Sequence, residues 1–259
     1  MLRNRFLPQS FNAEDALQVM GCPKAGSLGP VVHCLLWNIL KAKRSNWLND
    51  FAQLSADRDL ILLQEAVFNA PTDPLFNNSD RFGWVMARSF TDPISQIEHG
   101  IKTGSTCQAD EQQFYLSPHS EPLLQTQKLL LATFYPLALN DERLLVLNMH
   151  AINFVGIKKY AEQIDQLGDV LASHTGPVIV GGDFNTWNPA RLEHFRRVSS
   201  KAGLIEANME RQSKLAHMNQ HLDHLLFRGL KLCSVESLGQ FQSSDHSPIV
   251  ATFEQVHDV

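Results

Sequence analysis

The chain alternates short apolar runs with polar turns, and the period of each run predicts its element. Val31 to Leu40 (VVHCLLWNIL) is continuous enough to predict a buried strand ending near Asn38. Trp47, Leu48, Phe51 and Leu54 recur at helical spacing behind Asn46, a residue suited to a helix cap. Leu60 to Leu63 predicts a second buried strand with Gln64-Glu65 at its end, and Trp84 to Ala87 a short third one after a turn-rich stretch. Residues 88 to 113 are polar and carry no clear period. Leu129 to Tyr135 and Leu144 to Met149 read as neighbouring strands joined by a turn at Asn140-Asp141-Glu142, the second ending in Asn148-Met149-His150. Tyr160, Ile164, Leu167 and Leu171 form a helical stripe, and Leu192, Phe195 and Val198 mark another helix. Leu222 to Phe227 and Ile249 to Phe253 complete the strands.

Between the two late helices lies Gly176-Pro-Val-Ile-Val-Gly-Gly-Asp-Phe-Asn-Thr-Trp187. Val178 to Val180 predicts a buried strand, and Gly181-Gly182 a close approach at its end. In extended chain, residues two apart face one side, so Asp183 and Asn185 are expected to point together. Asn188-Pro189 then reads as a cap followed by proline at the first helical position. The same logic places Asn38, Glu65, His150, and Asp245 with His246 at the ends of other apolar runs. Asp223 is the exception, lying inside its run. If the strands pack as two sheets, these groups converge on one rim. Asn38, Glu65 and Asp245 offer hard oxygen donors suited to Mg²⁺ or Mn²⁺.

With 259 residues, 44% of them hydrophobic, the chain can bury a large core. No linker divides it, so a single domain over residues 1–259 is expected, with residues 1–30 as a peripheral surface segment. A net charge of −5 argues against a broad nucleic-acid surface but leaves room for a local basic groove. No run approaches the roughly 18 apolar residues of a membrane span, so no stable membrane insertion is expected. The four cysteines lack paired metal spacing, and no secretory h-region follows Arg3 and Arg5. Both point to a reduced, cytoplasmic protein.

The ordered set WN (ending at Asn38), QE (Glu65), NMH (His150), GGDFN (181–185), LDH (222–224) and SDH (244–246) resembles the endonuclease/exonuclease/phosphatase, or DNase I-like, superfamily. GPVIVGGDFNTW and NMHAINF are most similar to its bacterial YafD-like branch. The resemblance spans about residues 31 to 254. It implies an α/β fold of the α+β type: a four-layer sandwich with two mixed β-sheets flanked by helices. It also implies divalent-metal-dependent hydrolysis of a phosphodiester or phosphomonoester by an activated water. By that resemblance Glu65 and Asn38 would hold the metal, and Asp245 would ligate it or support His246. His246 would be the general base, with Asp223 orienting its ring. Asn185 and His150 would contact the phosphate, and Asp183 would position water or help protonate the leaving group. The substrate would be a nucleic acid, a phosphorylated small molecule or a lipid head group. The alternative is a catalytically silent binding module that kept the fold. Asn148, Asn153 and His224 read as structural, Trp37 and Trp187 as core, and Arg191, Arg196, Arg197 and Lys201 as a solvated helix face. Specificity would lie in the loops at 69–80, 88–113 and 206–221.

Overall fold

The computed structural model describes residues 8–11, 15–69, 72–122, 125–139, 141–207 and 222–256. In chain order the elements are β1 (Gln9–Ser10), β2 (Leu17–Met20), β3 (Val31–Asn38), α1 (Trp47–Ser55), β4 (Leu60–Phe68), α2 (Asp73–Asn77), β5 (Gly83–Thr91), β6 (Glu98–Ser105), β7 (Glu111–Ser120), β8 (Gln127–Pro136), β9 (Arg143–His150), α3 (Ile157–Ala172), β10 (Val178–Asp183), α4 (Pro189–Lys201), β11 (Ile205–Glu206), β12 (Asp223–Arg228), β13 (Leu230–Ser237) and β14 (Ile249–Gln255). One sheet runs β1-β5-β6-β4-β3-β14-β13, with β2 also on β5; the other runs β11-β12-β10-β9-β8-β7. β3 with β4 and β9 with β10 are parallel, and all other pairs are antiparallel, so both sheets are mixed.

Period-two alternation explains the layers. Leu36, Leu62, Val146, Ile179, Leu225 and Phe253 face between the sheets and are buried together. The alternate residues of the first sheet, including Trp37, Ile61 and Leu63, pack under α1 and α2 against Trp47, Phe51 and Phe76. Those of the second, including Leu147, Val178 and Val180, pack under α3 and α4 against Tyr160, Ile164 and Phe195. The result is helices, sheet, sheet, helices: the four-layer arrangement that the family resemblance implies.

Four local expectations need correction. Leu48 is 48% exposed, so the apolar part of the buried face of α1 is Trp47, Phe51 and Leu54, beside Asp50 and Ser55. Asn46 precedes α1 without capping it, because its amide bonds Asp50 Oδ1 instead. The unassigned stretch 88–113 holds the end of β5, all of β6 and the start of β7. Within residues 1–30, Leu17–Met20 adds to the sheet edge on β5, and Leu28 lies in the inter-sheet core. Asn140 and most of the 206–221 loop lie outside the described residues. Among the described residues, no helix is long and apolar enough to cross a membrane.

Ile179 has no exposed surface. Ile179→Ala should destabilise the chain by about 2–5 kcal/mol in equilibrium denaturation, from lost transfer energy plus a cavity between the sheets. Lys102 on β6 is buried, its Nζ donating to Val67 O at 2.7 Å and lying 3.6 Å from the Phe76 ring centroid. Burial pulls its pKa down to about 7, against an ordinary 10.5, with Asp73 and Glu98 partly opposing. The unfolded chain therefore binds more protons than the folded one between those values, and folding stability rises with pH across that window. The stability of the wild type relative to Lys102→Met should accordingly grow from pH 7 to pH 10, as measured by urea denaturation at each pH.

Candidate active site

The alternation that fills the inter-sheet core ends in polar residues at one rim. Cys34 and Leu36 lead to Asn38; Leu144, Val146 and Asn148 lead to His150; Ile179 and Gly181 lead to Asp183. Asp223 reaches the same rim from the opposite direction. β12 is antiparallel to β10, so its first residue is paired with the last of β10, Asp183 with Asp223. This explains why Asp223 looked misplaced in the sequence.

The groups meet in close geometry. Asn38 Nδ2 donates to Asp183 Oδ2 at 3.1 Å, a bond between the two sheets. His246 Nδ1 donates to Asp223 Oδ2 at 2.6 Å, and its Nε2 lies 3.9 Å from Asp183 Oδ2. His150 Nε2 lies 3.7 Å from the same Asp183 oxygen. The His246 loop is clamped to β3: Ser244 Oγ donates to Asn38 O at 2.6 Å, and Trp37 Nε1 donates to His246 O at 3.0 Å. Trp37 is therefore core, as expected. Asn148 donates to Leu63 O and Lys102 O, and receives a 2.7 Å bond from Gln64, so it bridges the sheets structurally.

Electrostatics follow from this burial. Desolvation, with Asp223 alongside, raises the Asp183 carboxyl to about 7. Burial disfavours charged His246, but the hydrogen bond and charge of Asp223 outweigh it and lift the ring to about 9. Burial, then Lys128 and His246, holds His150 well below its ordinary value, so it is neutral. Among the described residues, Asp223 Oδ1 is buried and has no hydrogen-bond partner. One ligand atom each from Asp183, Asp223 and His246 lies within 4.8 Å of the others. His246 Nδ1 is committed to Asp223 in this cluster, whereas the oxygen donors expected to take a cation, Asn38, Glu65 and Asp245, are of the hard type that suits Mg²⁺ or Mn²⁺.

Other expected residues sit further out. Glu65 follows the inward-facing Gln64 and has a φ of 48°, at a register break between Leu63 and Ala66. That bulge re-aims its carboxylate, which is 25% exposed and 4.0 Å from Lys41 Nζ. Asp245 is exposed and accepts from Ser244 Oγ at 3.4 Å. Asn185 does not share a face with Asp183 by strand alternation, because β10 ends at Asp183 and Asn185 has a φ of 50°. Its amide donates to Ala151 O at 2.9 Å, and its backbone N–H to Asp183 Oδ1. The second amide hydrogen leaves it able to donate to a ligand.

Two further expectations change. Arg191 is fully buried, donating to the carbonyls of Ile152, Asn185 and Val155, and is no part of a solvated face. Trp187 is 56% exposed and no core residue. His224 is structural as expected, bonded to Glu206 and Thr186 behind the rim. Lys128 went unnoticed in the sequence, yet its Nζ lies 3.3 Å from His150 Nε2 and 3.6 Å from Glu121. A lone lysine opening an apolar strand carries no signal that separates it from any edge charge.

The chain matches the model of the Endonuclease/Exonuclease/phosphatase family over residues 35–246. A UPF0294 protein of Yersinia pseudotuberculosis is 34% identical over 228 residues, covering 86% of this chain and 84% of that one. An endonuclease/exonuclease/phosphatase from Bacteroides vulgatus superposes with a TM-score of 0.66 at 11% identity, over 87% of this chain and 99% of that one. The mannosyl-6-phosphatase Bt3783 of Bacteroides thetaiotaomicron gives 0.64 at 15% identity, over 87% and 100%.

The rim geometry depends on Gly182, paired in parallel with Met149. A Cβ there would meet Met149 O at 2.0 Å, a backbone atom that cannot swing away. Gly182→Ala should therefore cost at least the roughly 1–3 kcal/mol typical of overpacking, and separate Asp183 from His150. A melting temperature equal to that of the wild type would contradict this.

Proposed function

We propose, for a chain that belongs to the endonuclease/exonuclease/phosphatase family, hydrolysis of a phosphodiester or phosphomonoester by an activated water with the help of a divalent cation. Members of that family are phosphoesterases, and they typically use divalent metals. The observation that carries the reading here is the buried cluster of Asp183, Asp223 and His246, tied to Asn38 on the opposite sheet.

The roles follow from the contacts. Asp223 fixes the tautomer of His246 by accepting a hydrogen bond from its Nδ1–H, which leaves Nε2 to face the rim. A ring that binds its proton so firmly is a strong base once neutral, and is placed to take a proton from the attacking water. Asp183, with its carboxyl near 7, can exchange a proton at neutral pH and so serve the water or the leaving group. Neutral His150 and Lys128 beside it supply donors for non-bridging oxygens as negative charge builds, joined by the Asn185 amide. Glu65, Asn38 and Asp245 are the residues we assign to hold Mg²⁺ or Mn²⁺. The cation would supply polarisation of a phosphoryl oxygen. The core shared between the sheets supports one domain over residues 1–259. Four free cysteines support a reducing, cytoplasmic setting.

The test is hydrolysis of bis(4-nitrophenyl) phosphate with Mg²⁺ or Mn²⁺, and with excess EDTA. Activity should vanish on chelation and return with the cation. His246→Ala should lower kcat by roughly 10²–10⁴-fold with the fold intact by circular dichroism. Asp223→Asn should give a smaller loss, and the double variant should be no worse than His246→Ala, because the pair acts as a unit. Full turnover in EDTA, or near-normal turnover in folded His246→Ala, would remove the proposal.

A further inference from the structure

Building on the phosphoesterase reading, we propose that Trp187 is a stacking platform for a nucleobase, making the substrate a base-bearing phosphate ester. Three of the four tryptophans, Trp37, Trp47 and Trp84, are each 1% exposed; Trp187 is 56% exposed. It stands two residues beyond Asn185, a stretch of chain that reaches at most about 7 Å. Base and phosphate of one nucleotide are separated by a single sugar, so one ligand can meet both.

The exposure is built rather than incidental. Trp187 Nε1 donates to Asn153 Oδ1 at 3.0 Å, which pins the indole edge. The Arg191 guanidinium lies 4.8 Å from the Trp187 ring centroid and 4.5 Å from that of Tyr160. Tyr160, Arg191 and Trp187 are thus linked through ring–guanidinium contacts, and Arg191 is held by three carbonyls from the loops that follow β9 and β10. With the guanidinium over the ring and the Nε1 edge tied, an exposure above one half leaves the other face open to solvent. A fixed, planar, open ring is what base stacking uses, and stacking requires no particular base. Phe154, the residue after Asn153, is 78% exposed and gives the same loop a second ring. A lipid surface would gain nothing from an indole held in one plane by a hydrogen bond and a buried guanidinium.

Because the other tryptophans are buried, quenchable fluorescence reports Trp187. The protein is titrated, in Ca²⁺ to fill oxygen sites, with oligothymidylate, with an abasic tetrahydrofuran oligomer of equal length, and with phosphatidylglycerol vesicles. Oligothymidylate should quench saturably, and the abasic oligomer should do so at least about tenfold more weakly. Trp187→Leu should weaken binding of dye-labelled oligothymidylate by roughly 5- to 150-fold in anisotropy, and Trp187→Tyr should restore most of it. Equal quenching by both oligomers, wild-type affinity in Trp187→Leu, or quenching by vesicles alone would overturn the platform. A base preference without hydrolysis of any phosphate ester would instead overturn the phosphoesterase reading and leave the platform standing.

Discussion

Two carboxylates held opposite each other in a buried sheet set the terms for everything else at the rim. Asp183 and Asp223 are cross-strand partners at the meeting of β10 and β12. Like charges in that position repel, and burial removes the water that would screen them. The chain answers with a proton on Asp183 near neutrality, a cationic His246 against Asp223, and the Asn38 amide brought over from the other sheet. Among the described residues, none bonds Asp223 Oδ1. The cluster is thus balanced by a shared proton, a hydrogen-bonded imidazole and an amide from the facing sheet, and each of the three is fixed by where its strand ends.

Much of this was legible because period-two alternation is a strong signal. Once Leu36, Val146 and Ile179 are taken as facing one core, Asn38, His150 and Asp183 must emerge at its edge. The places where the reading failed have identifiable causes. Asp223 belongs to an antiparallel strand, and pairing direction is not written in one strand alone. β6 defeated pattern reading because its inward and outward positions include Lys102, Thr103 and Ser105, all buried. Its Gly104 is needed against the Trp84 ring, where a Cβ would come within 2.5 Å. Arg191 looked like a surface charge because sequence cannot show three backbone carbonyls waiting for a guanidinium. Trp187 looked like core because large aromatics usually are, and exposure is decided by what covers them.

Backbone strain concentrates at the same rim. Among the described non-glycine residues with positive φ are Leu40, Lys41 and Ala42 just after β3, Glu65 within β4, Phe154 after β9 and Asn185 after β10. Such conformations cost on the order of 1–3 kcal/mol each and persist only where the surroundings impose them. Here the surroundings are visible for Asn185, whose amide is bonded to Ala151 and whose carbonyl is held by Arg191. Its strained backbone is the condition for aiming a side chain that regular alternation would have turned elsewhere. The same holds for Glu65, where the bulge overrides the strand's parity.

The assembly of the site is inseparable from closure of the fold. His246 precedes β14, which pairs with β3 near the other end of the chain, and the SDH loop is held to β3 by Ser244 and Trp37. Asp183 and Asp223 belong to the second sheet, and Asn38 to the first. No partial structure with a single sheet can place His246, Asp223 and the Asn38 amide together. The polar rim is thus specified by the same apolar contacts that press the sheets face to face, and it can be no better ordered than they are. That dependence explains why bulky residues fill the inter-sheet core while glycine stands at the last steps of β10. At Gly182 a Cβ would meet the backbone oxygen of Met149 on the neighbouring strand at 2.0 Å, and at Gly181 it would press on the ends of Leu62 and Leu36 from the opposite sheet at 3.0 and 3.3 Å.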